Sequence, residues 1–335
     1  MRRTIQVIAL VFLSVCAQAQ KPVPIIFDTD MGPDYDDVGA ITLLHAFADS
    51  GKATILATMA STNYEGVAAV LNVLNTYFHR PATPIGVPKG NARDMRDGQH
   101  WSDTLLARYP HAIQKNSEAP DAVTLYRQIL AKQPDNSVTI VTVGFFTNIA
   151  NLLRSQPDQY SKLDGRKLVS KKVKQMVSMA GKFPEGIEFN VEEDKAASQY
   201  ALSNFPRKII FSGFEIGEKI RSGLPLIHNE QITNSPVKDV FRICIPMAKE
   251  DSAGRQSWDE SAVLVAVNGY EPYYTLVPGS IEVDDKGNNK WNNTKRDQYY
   301  LVEKVPSSIP EALINKLMMH QPMTNTAEQL QGRMQ

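Results

Sequence analysis

Short apolar segments alternate with amphipathic ones along most of this chain. Pro22–Phe27 has the continuous apolar character of a buried strand. From Asp36, apolar residues recur three positions apart until Gly51 ends the run, which predicts a helix. The alternation continues with predicted strands at 53–60, 137–144, 173–181 and 207–213 and predicted helices at 65–78, 145–153 and 194–204. Fully apolar strands that alternate with helices predict a mostly parallel sheet covered on both faces.

The end of the chain predicts a different strand arrangement. Residues 275–283 and 297–305 have the pattern of antiparallel strands, and residues 285–287 (Asp-Lys-Gly) are typical of a turn. We therefore predict one α/β domain over residues 20–335. It is an open, mostly parallel, twisted sheet flanked by helices, with a few antiparallel strands late in the chain. Residues 89–120 are polar and loop-rich, which is typical of a lid over a site.

Residues 1–19 have the organisation of a secretory signal peptide. A positively charged start precedes an apolar stretch, and residues 17–19 (Ala-Gln-Ala) form a small-x-small cleavage site. The apolar stretch is short for a bilayer span, so an uncleaved anchor is the less favoured alternative. Cleavage before Gln20 predicts a periplasmic or secreted protein without a membrane segment. Cys244 is then the only cysteine left, which excludes an internal disulfide.

Composition narrows the function classes. The 335 residues are 42% hydrophobic and 21% charged, a balance typical of a folded globular chain rather than of a disordered polyelectrolyte. Basic and acidic residues are equal in number, 36 of each, so the chain lacks the basic excess that favours a nucleic-acid partner. The charge balance does not predict the ligand.

Four polar clusters carry the candidate chemistry, and each follows a predicted strand. Ligands of open α/β sheets bind beyond the carboxyl ends of the strands, so we expect these clusters to converge. The first cluster reads DTDMGPDYDD, in which five of ten residues are carboxylates. The clusters are Asp28–Asp37, Ser61–Asn63, Val143–Asn148 and Gly181–Asp194.

The acidic stretch predicts a metal site. Asp28 and Asp30 follow a strand, and Asp36 and Asp37 begin a helix. The helix dipole offsets only about 0.3–1 kcal/mol of repulsion, which is too little to hold several carboxylates together. A divalent cation would do so, and oxygen ligands without a nearby Cys or His favour Ca²⁺ or Mg²⁺.

Three other structures also place several carboxylates close together in sequence, namely an EF-hand loop, a phosphatase active site and a capped helix start. A calcium EF-hand loop needs glycine at position six and glutamate at position twelve, where this chain has Pro33 and Gly39. A phosphatase with an aspartate nucleophile accounts for the first two aspartates but not for the pair at the helix start. Helix capping combined with a solvated acidic loop stays open on these residues alone.

The order Asp-x-Asp-x-Gly and then Asp-Asp at a helix start resembles the N-terminal signature of the nucleoside hydrolases. This chain has two extra residues between Gly32 and Asp36, and Asp34 has no family counterpart under that alignment. Three further segments resemble family elements: TIVTVGFFTNIA, Glu188-Phe189-Asn190 and Trp258-Asp259-Glu260. The resemblance extends from about Ile25 to Ala266 and implies the Rossmann-like nucleoside hydrolase fold.

The resemblance implies a calcium site beside a sugar site. The implied Ca²⁺ ligands are Asp30, Asp37, Asp259 and the backbone carbonyl of Val143. Asp30 is also implied as the general base that activates a water. The implied sugar-binding residues are Asp36, Glu188 and Asn190, with Asn63 near both metal and ribose. Loss of such buried polar contacts is costly, so ribose is expected over deoxyribose.

The residues near the departing base differ from those of many family members. Those members have a histidine proton donor just before the late calcium aspartate, where this chain has Trp258. Tryptophan fits the purine-preferring branch, in which indoles enclose the base. Trp101 in the predicted lid is the candidate second indole, and His100 beside it is a candidate proton donor. The alternatives are core packing for Trp258, an ordinary loop aromatic for Trp101 and plain solvation for His100.

Together these features predict an exported, calcium-dependent ribonucleoside hydrolase that prefers purines and releases ribose and free base. Its partner is a small-molecule nucleoside, and a homo-oligomer, dimer or tetramer, is expected. Two alternatives stay open. One is a hydrolase of another N-riboside, and the other is a non-catalytic nucleoside- or ribose-binding protein of the same fold. Retention of Asp30 argues against the binding protein, because a pure binder has no use for a water-activating base.

Overall fold

The computed structural model describes residues 21–294 and 297–322. The predicted signal peptide at residues 1–19 lies outside this part of the chain. Within it, none of the helices combines the length and the apolarity that crossing a membrane requires.

A large mixed sheet forms the centre of the described structure. The strands are β1 (Val23–Thr29), β2 (Ala53–Ala60), β3 (Ile85–Gly86), β4 (Val138–Thr142), β5 (Val173–Met179), β6 (Glu185–Ile187), β7 (Lys208–Ser212), β8 (Arg221–Ser222), β9 (Arg255–Gln256), β10 (Tyr274–Val283), β11 (Asn288–Asn292) and β12 (Gln298–Glu303). Ten of them form one sheet in the order β3-β2-β1-β4-β5-β7-β12-β10-β11-β6, and β8 pairs with β9 separately.

Strand direction divides this sheet into two parts. From β3 to β12 all neighbours are parallel, whereas β12, β10, β11 and β6 pair antiparallel. This confirms the predicted α/β class with late antiparallel strands. The chain order reverses at β1, which lies between β2 and β4. Ligands of open parallel sheets bind at such a reversal, so the carboxyl ends of β1 and β4 are the expected place for a site.

Helices cover both faces of the sheet. They are α1 (Asp36–Asp49), α2 (Val67–Tyr77), α3 (Trp101–Arg108), α4 (Ala122–Lys132), α5 (Thr147–Arg154), α6 (Gly165–Lys172), α7 (Phe189–Glu193), α8 (Lys195–Asn204), α9 (Phe214–Gly217), α10 (Leu224–His228), α11 (Pro236–Cys244), α12 (Trp258–Asn268) and α13 (Ser308–Met318). Alternate β1 residues enter opposite cores: Ile25 and Phe27 pack with α1, α2 and α12, and Ile26 packs with α4, α5 and α8. The strand is apolar from Val23 to Phe27 for this reason, before the polar Asp28 and Thr29 at its carboxyl end. Each large side chain buried contributes about 1.5–3 kcal/mol.

The secondary structure of the predicted lid differs from the sequence prediction, although Met95 of this segment lines the cavity described below. Residues 89–120 are not loop throughout, because α3 lies in their middle. The Asp97 carboxylate accepts the backbone N–H of Ser102 at 2.8 Å in the first turn of α3. Trp101 and Leu105, one turn apart, are fully buried. Helix α3 packs against α2 and α11, so the face of this helix that carries Trp101 and Leu105 belongs to the core.

Candidate active site

A cavity of about 480 Å³ opens beyond the carboxyl ends of β1 and β4. Its volume is within the range of small-molecule sites in proteins. Eight of the predicted site residues line it, namely Asp30, Asp36, Asp37, Val143, Glu188, Asn190, Trp258 and Asp259. The convergence expected from the strand ends is therefore observed for most of these residues.

One side of the cavity is an acidic cluster made of Asp30, Asp36, Asp37 and Asp259. Asp30 follows β1, Asp36 and Asp37 begin α1, and Asp259 is in the first turn of α12. Each of the four is at most 4% exposed. Because α1 packs against α12, the two helix starts bring residues from opposite ends of the sequence to one place. The backbone N–H of Asp259 lies 3.4 Å from a carboxylate oxygen of Asp36.

The close approach of β4 to β1 depends on Gly144. A Cβ at this position would lie 2.4 Å from the backbone nitrogen of Asp30 and 2.6 Å from its Oδ1. Those distances are far below van der Waals contact, and the nearest atom belongs to backbone that has no rotamer to change. A glycine directly after Val143 therefore lets the end of β4 lie against the acidic cluster.

Burial and mutual repulsion raise the pKa of the clustered carboxyls. For Asp30, loss of solvation is the main cause, and the charge of Asp37 raises its pKa further. For Asp259, loss of solvation raises the pKa most, followed by the charges of Asp36 and Asp37. Buried like charges need protons or a counter-ion to coexist. Such perturbed groups in a cavity are typical of a functional site.

The donor set fits a hard divalent cation. Oδ1 of Asp37 accepts a hydrogen bond from the Thr29 hydroxyl, whereas its Oδ2 is buried without a hydrogen-bond partner in the described part of the chain. The Val143 carbonyl accepts a hydrogen bond from Nδ2 of Asn190 at 3.1 Å and retains a second lone pair. Oxygen donors of this kind suit Ca²⁺ or Mg²⁺. Within residues 21–294 and 297–322, no three Asp, Glu, His or Cys side chains have the arrangement of a formed metal site.

Asp28, near the end of β1, is buried and is not among the residues that line the cavity. Its carboxylate accepts hydrogen bonds from the Tyr126 hydroxyl at 2.7 Å and from Nδ2 of Asn148 at 3.1 Å. Asn148 also donates to the Ala60 carbonyl at 2.7 Å, so it ties the ends of β1 and β2 together. Burial raises the pKa of Asp28 to about 7, because loss of solvation outweighs these two side-chain hydrogen bonds.

The Glu188–Asn190 segment forms the facing side of the cavity. The Glu188 carboxylate accepts the backbone N–H groups of Gly181, Asn190 and Val191, so it caps α7. Nδ2 of Asn190 donates to the carbonyls of Val143 and Met179. Burial raises the pKa of Glu188 to about 7 despite the three backbone hydrogen bonds. Both side chains are thus held in place by the backbone around them.

The raised pKa of Glu188 predicts a pH-dependent sugar affinity. We expect KM for a ribonucleoside to rise as the pH falls below about 7, because the protonated acid accepts hydrogen bonds less well than the carboxylate. Glu188→Gln has no such ionisation, so its KM is expected to be high and nearly constant between about pH 5.5 and pH 8. Steady-state kinetics across this range make the measurement. A persisting acid limb in Glu188→Gln would assign the ionisation to another group, such as Asp28.

The raised pKa of Glu188 also makes the free energy of unfolding depend on pH. The dependence is opposite to that of an ordinary salt-bridged carboxylate, whose pKa is lowered by folding. The folded-state pKa of Glu188 is about 7 and its reference value is 4.5. Folding therefore favours the protonated form. The contribution to the free energy of unfolding is fully present below the reference pKa and is lost as the pH rises through about 7.

An aromatic wall of Trp258 and Phe214 closes another side of the cavity. The indole N–H of Trp258 donates to the Phe214 carbonyl at 2.9 Å, and the two ring centroids are 5.3 Å apart. Trp258 is only partly buried and lines the cavity, which favours the ligand-contact interpretation over plain core packing. Two partly exposed apolar residues, Ile187 and Phe189, also line the cavity.

The structure does not bring three of the predicted site residues to this cavity. Trp101 is 0% exposed within the hydrophobic core, so the predicted sandwich of Trp258 and Trp101 is corrected. His100 is exposed, and its Nδ1 lies 3.3 Å from a carboxylate oxygen of Asp103. This position agrees with the solvated histidine given as the alternative to a proton donor. The Asn63 amide donates to the Gly90 carbonyl at 3.4 Å and is not among the cavity residues.

Arg255 lines the cavity and was not indicated by the sequence. Its Nη2 lies 2.6 Å from Asp34 and 2.8 Å from Asp36. The extra residues after Gly32 thus supply a counter-ion for an arginine in the cavity, which gives Asp34 a role. No spacing signal pointed to this pair, because Asp36 and Arg255 are 219 positions apart.

Known proteins similar in sequence to this chain include ribonucleoside hydrolases. "Pyrimidine-specific ribonucleoside hydrolase RihA" of Shewanella sp. (strain ANA-3) is 28% identical over 232 residues, which cover 68% of this chain and 66% of that protein. The protein of the same description from Salmonella enteritidis PT4 is 26% identical over 306 residues, covering 85% and 92%. The chain therefore spans about two thirds of the length of the first relative and most of the second.

Solved structures of nucleoside hydrolases share the fold. A plant nucleoside hydrolase, PpNRh1, superposes with a TM-score of 0.69 at 18% identity, covering 89% of this chain and 99% of that one. A purine-preferring ribonucleoside hydrolase from Gardnerella vaginalis gives a TM-score of 0.68 at 18% identity, covering 88% and 99%. At such identities the likeness shows the fold alone.

The sequence profile described as "Inosine-uridine preferring nucleoside hydrolase" matches residues 25–313, which is most of the chain. This range contains the acidic cluster, the Glu188–Asn190 segment and the Trp258-Asp259 pair. The match confirms the resemblance seen in the sequence and the predicted enzyme class, an N-glycosidase. The chain belongs to the inosine-uridine preferring nucleoside hydrolase family.

Proposed function

We propose that this protein hydrolyses the N-glycosidic bond of ribonucleosides and releases ribose and a free base. One observation carries the proposal: the acidic cluster and the Glu188–Asn190 segment line one cavity at the reversal of strand order. The cavity thus combines groups that can activate water with groups that can hold a sugar. The family match supports the same reaction class.

The residues have distinct roles in this reaction. Bond cleavage builds positive charge on the sugar ring and negative charge on the departing base. Asp30 accepts a proton from the attacking water as general base. Asp36, Glu188 and Asn190 hold the sugar hydroxyls, and their fixed hydrogen bonds keep the anomeric carbon near Asp30. The negative charge of the acidic cluster favours the charged transition state over the neutral substrate.

We propose Ca²⁺ as the cofactor, held by Asp30, Asp37, Asp259 and the Val143 carbonyl. The support is the oxygen-only donor set and the buried Oδ2 of Asp37, which lacks a hydrogen-bond partner in the described residues. When bound, such an ion supplies positive charge that orients a water and lowers its pKa. The chain's own residues carry the proton transfer and the sugar contacts.

Base preference is proposed to favour purines. Trp258 occupies the aromatic wall, and the cavity residues in the described chain include no histidine that could protonate a pyrimidine. A purine can be protonated on its own ring and can stack on an indole face. The relatives named as pyrimidine-specific make the opposite preference the second candidate. Rates with inosine, guanosine, uridine and cytidine decide between the two.

Trp258→Ala tests the role of the aromatic wall. We expect kcat/KM for inosine to fall by about 10- to 100-fold, because the base loses its stacking partner during protonation. Cleavage of nitrophenyl riboside should change less than about threefold, since that leaving group departs without a proton. Ribose release with both substrates makes the comparison. An equal loss on both would assign Trp258 to packing.

Ribose release from the four common ribonucleosides tests the proposed function itself. A hydrolase gives stoichiometric ribose and free base from at least one of them. The alternative, a nucleoside- or ribose-binding protein, gives binding by calorimetry without ribose release. That outcome would reject the proposal.

Export is proposed from the predicted signal peptide at residues 1–19. An exported enzyme would act on nucleosides outside the cytoplasm. Cell fractionation with activity assays, together with N-terminal sequencing of the purified protein, tests both export and cleavage before Gln20. Activity confined to the cytoplasmic fraction would contradict it.

A further inference from the structure

Arg255 is held in the cavity from several directions. Its Nε and Nη2 donate to Oδ1 of Asp36 at 3.2 and 2.8 Å, and Nη2 lies 2.6 Å from Oδ1 of Asp34. The guanidinium carbon lies 4.9 Å from the ring centroid of Tyr35 and 5.1 Å from that of Trp258. Only 9% of the residue is exposed. The orientation of the guanidinium is therefore determined by its surroundings.

This arrangement leaves hydrogen-bonding capacity on both partners. Nη1 of Arg255 lies 3.8 Å from Oδ2 of Asp251, which is too far for a hydrogen bond. Among residues 21–294 and 297–322, Oδ2 of Asp36 has only the long 3.4 Å contact from the Asp259 backbone N–H. A guanidinium offers donors alone and a carboxylate offers acceptors alone. Within the described residues, Nη1 therefore keeps donor capacity beyond its long ion pair with Asp251, and Oδ2 of Asp36 keeps acceptor capacity.

A sugar diol has the matching requirement. Each hydroxyl both donates and accepts, and two adjacent hydroxyls can donate to a carboxylate and accept from a guanidinium at the same time. Asp36 alone would supply only acceptors. Among the described residues that line the cavity, Arg255 is the one cationic side chain. It is thus the group that can donate a charged hydrogen bond to a sugar oxygen.

We propose that Arg255 is a specificity-determining residue that recognises the vicinal ribose hydroxyls together with Asp36, and that Asp34 is a positioning residue for its guanidinium. This rests on the proposed function and names the sugar that the site selects. The segment between Gly32 and Asp36 then serves substrate selection, since it supplies both Asp34 and the Tyr35 ring that contacts the guanidinium.

Comparing sugars separates this role from a structural one. For Arg255→Gln we expect kcat/KM with a ribonucleoside to fall by about 10- to 100-fold, mainly through KM, as for loss of a charged hydrogen bond. With the 2′-deoxy or the 3′-deoxy analogue that lacks the contacted hydroxyl, the fall should be below about threefold. Arg255→Lys keeps the charge but not the planar fork, so it should restore selectivity only in part.

Asp34→Asn should also lower kcat/KM with a ribonucleoside, but by less than Arg255→Gln does. In the Arg255→Gln background it should have no further effect, because Asp34 acts through Arg255. Arg242→Gln is the matched control: Arg242 pairs with Asp239 at 3.3 Å, is 59% exposed, and should leave sugar selectivity unchanged.

Equal losses with the riboside and both deoxy analogues in Arg255→Gln would overturn the inference and leave a purely structural role. Failure of the proposed function would be seen separately, in the wild-type protein. That protein would then release no ribose from any ribonucleoside. In that case, calorimetry measures the affinities for ribose, 2-deoxyribose and 3-deoxyribose. Comparing these affinities between the wild type and Arg255→Gln tests sugar selectivity without turnover. Equal affinity of the wild type for all three sugars would again overturn the inference.

Discussion

Replacing Asp30 with asparagine is expected to lower kcat for a ribonucleoside by about 100- to 10,000-fold, the range for loss of a general base. Asparagine keeps the size of the side chain but cannot accept the proton of the attacking water. Burial raises the pKa of Asp30, which makes its carboxylate a stronger proton acceptor than an exposed one. Steady-state ribose release measures the change.

Asp285→Asn is a suitable control for Asp30→Asn, because it makes the same chemical change on an exposed residue in the turn between β10 and β11. It should retain wild-type kcat. Thermal unfolding of both variants shows whether the fold is intact. An Asp30→Asn protein that unfolds normally and keeps more than about a tenth of the wild-type kcat would remove Asp30 from the chemistry.

Removal of divalent cations is expected to abolish turnover, and Ca²⁺ is expected to restore it. The physical reason is the charge of the acidic cluster: burial removes water from its carboxyls, and their mutual repulsion raises their pKa values further. A dication relieves this repulsion and keeps the carboxylates ionised. The measurement is ribose release after chelation and after titration with Ca²⁺, Mg²⁺ or Mn²⁺. Full activity in excess chelator would exclude a metal requirement.

A second readout of the cation does not depend on activity. A ligand that binds only the folded state stabilises it by about 2.7 kcal/mol at one hundred times its Kd, so Ca²⁺ should raise Tm in a concentration-dependent way. Asp259→Asn removes one proposed ligand and should weaken this response. The control Asp285→Asn should keep it. A Tm that is insensitive to Ca²⁺ in the wild type would contradict the proposed site.

The sequence predicted the sheet and the order of its elements well. The predicted strand at 53–60 coincides with β2, and the helix predicted from Asp36 begins at that residue in the structure. A strand that is buried on both faces has a continuous apolar sequence. The β1 residues from Ile25 to Phe27 enter two different cores in alternation, so no polar residue interrupts this part of the strand. The position of the cavity was also expected, since ligands of open α/β sheets bind beyond the carboxyl ends of the strands. The reversal of strand order at β1 was shown only by the structure.

Single residues in loops were harder to place than elements. Trp101 and His100 are neighbours in a polar segment, but one is fully buried and the other is exposed. Their surroundings depend on how α3 packs against α2 and α11, and no local pattern contains that information. Trp258, in contrast, was placed correctly because a motif in the sequence connects it to Asp259, which lines the same cavity.

By itself, the sequence determined the α/β alternation, the carboxylates at the end of β1 and the start of α1, and the family to which they point. Periodicity and short motifs are local properties of the chain, so they can be recognised from the sequence alone. Only the tertiary structure decided which groups share the cavity: Arg255 with Asp36 across 219 positions, and an α3 that carries Trp101 into the core. Ion pairs and cavity walls form between segments distant along the chain, and their partners are chosen by packing rather than by spacing.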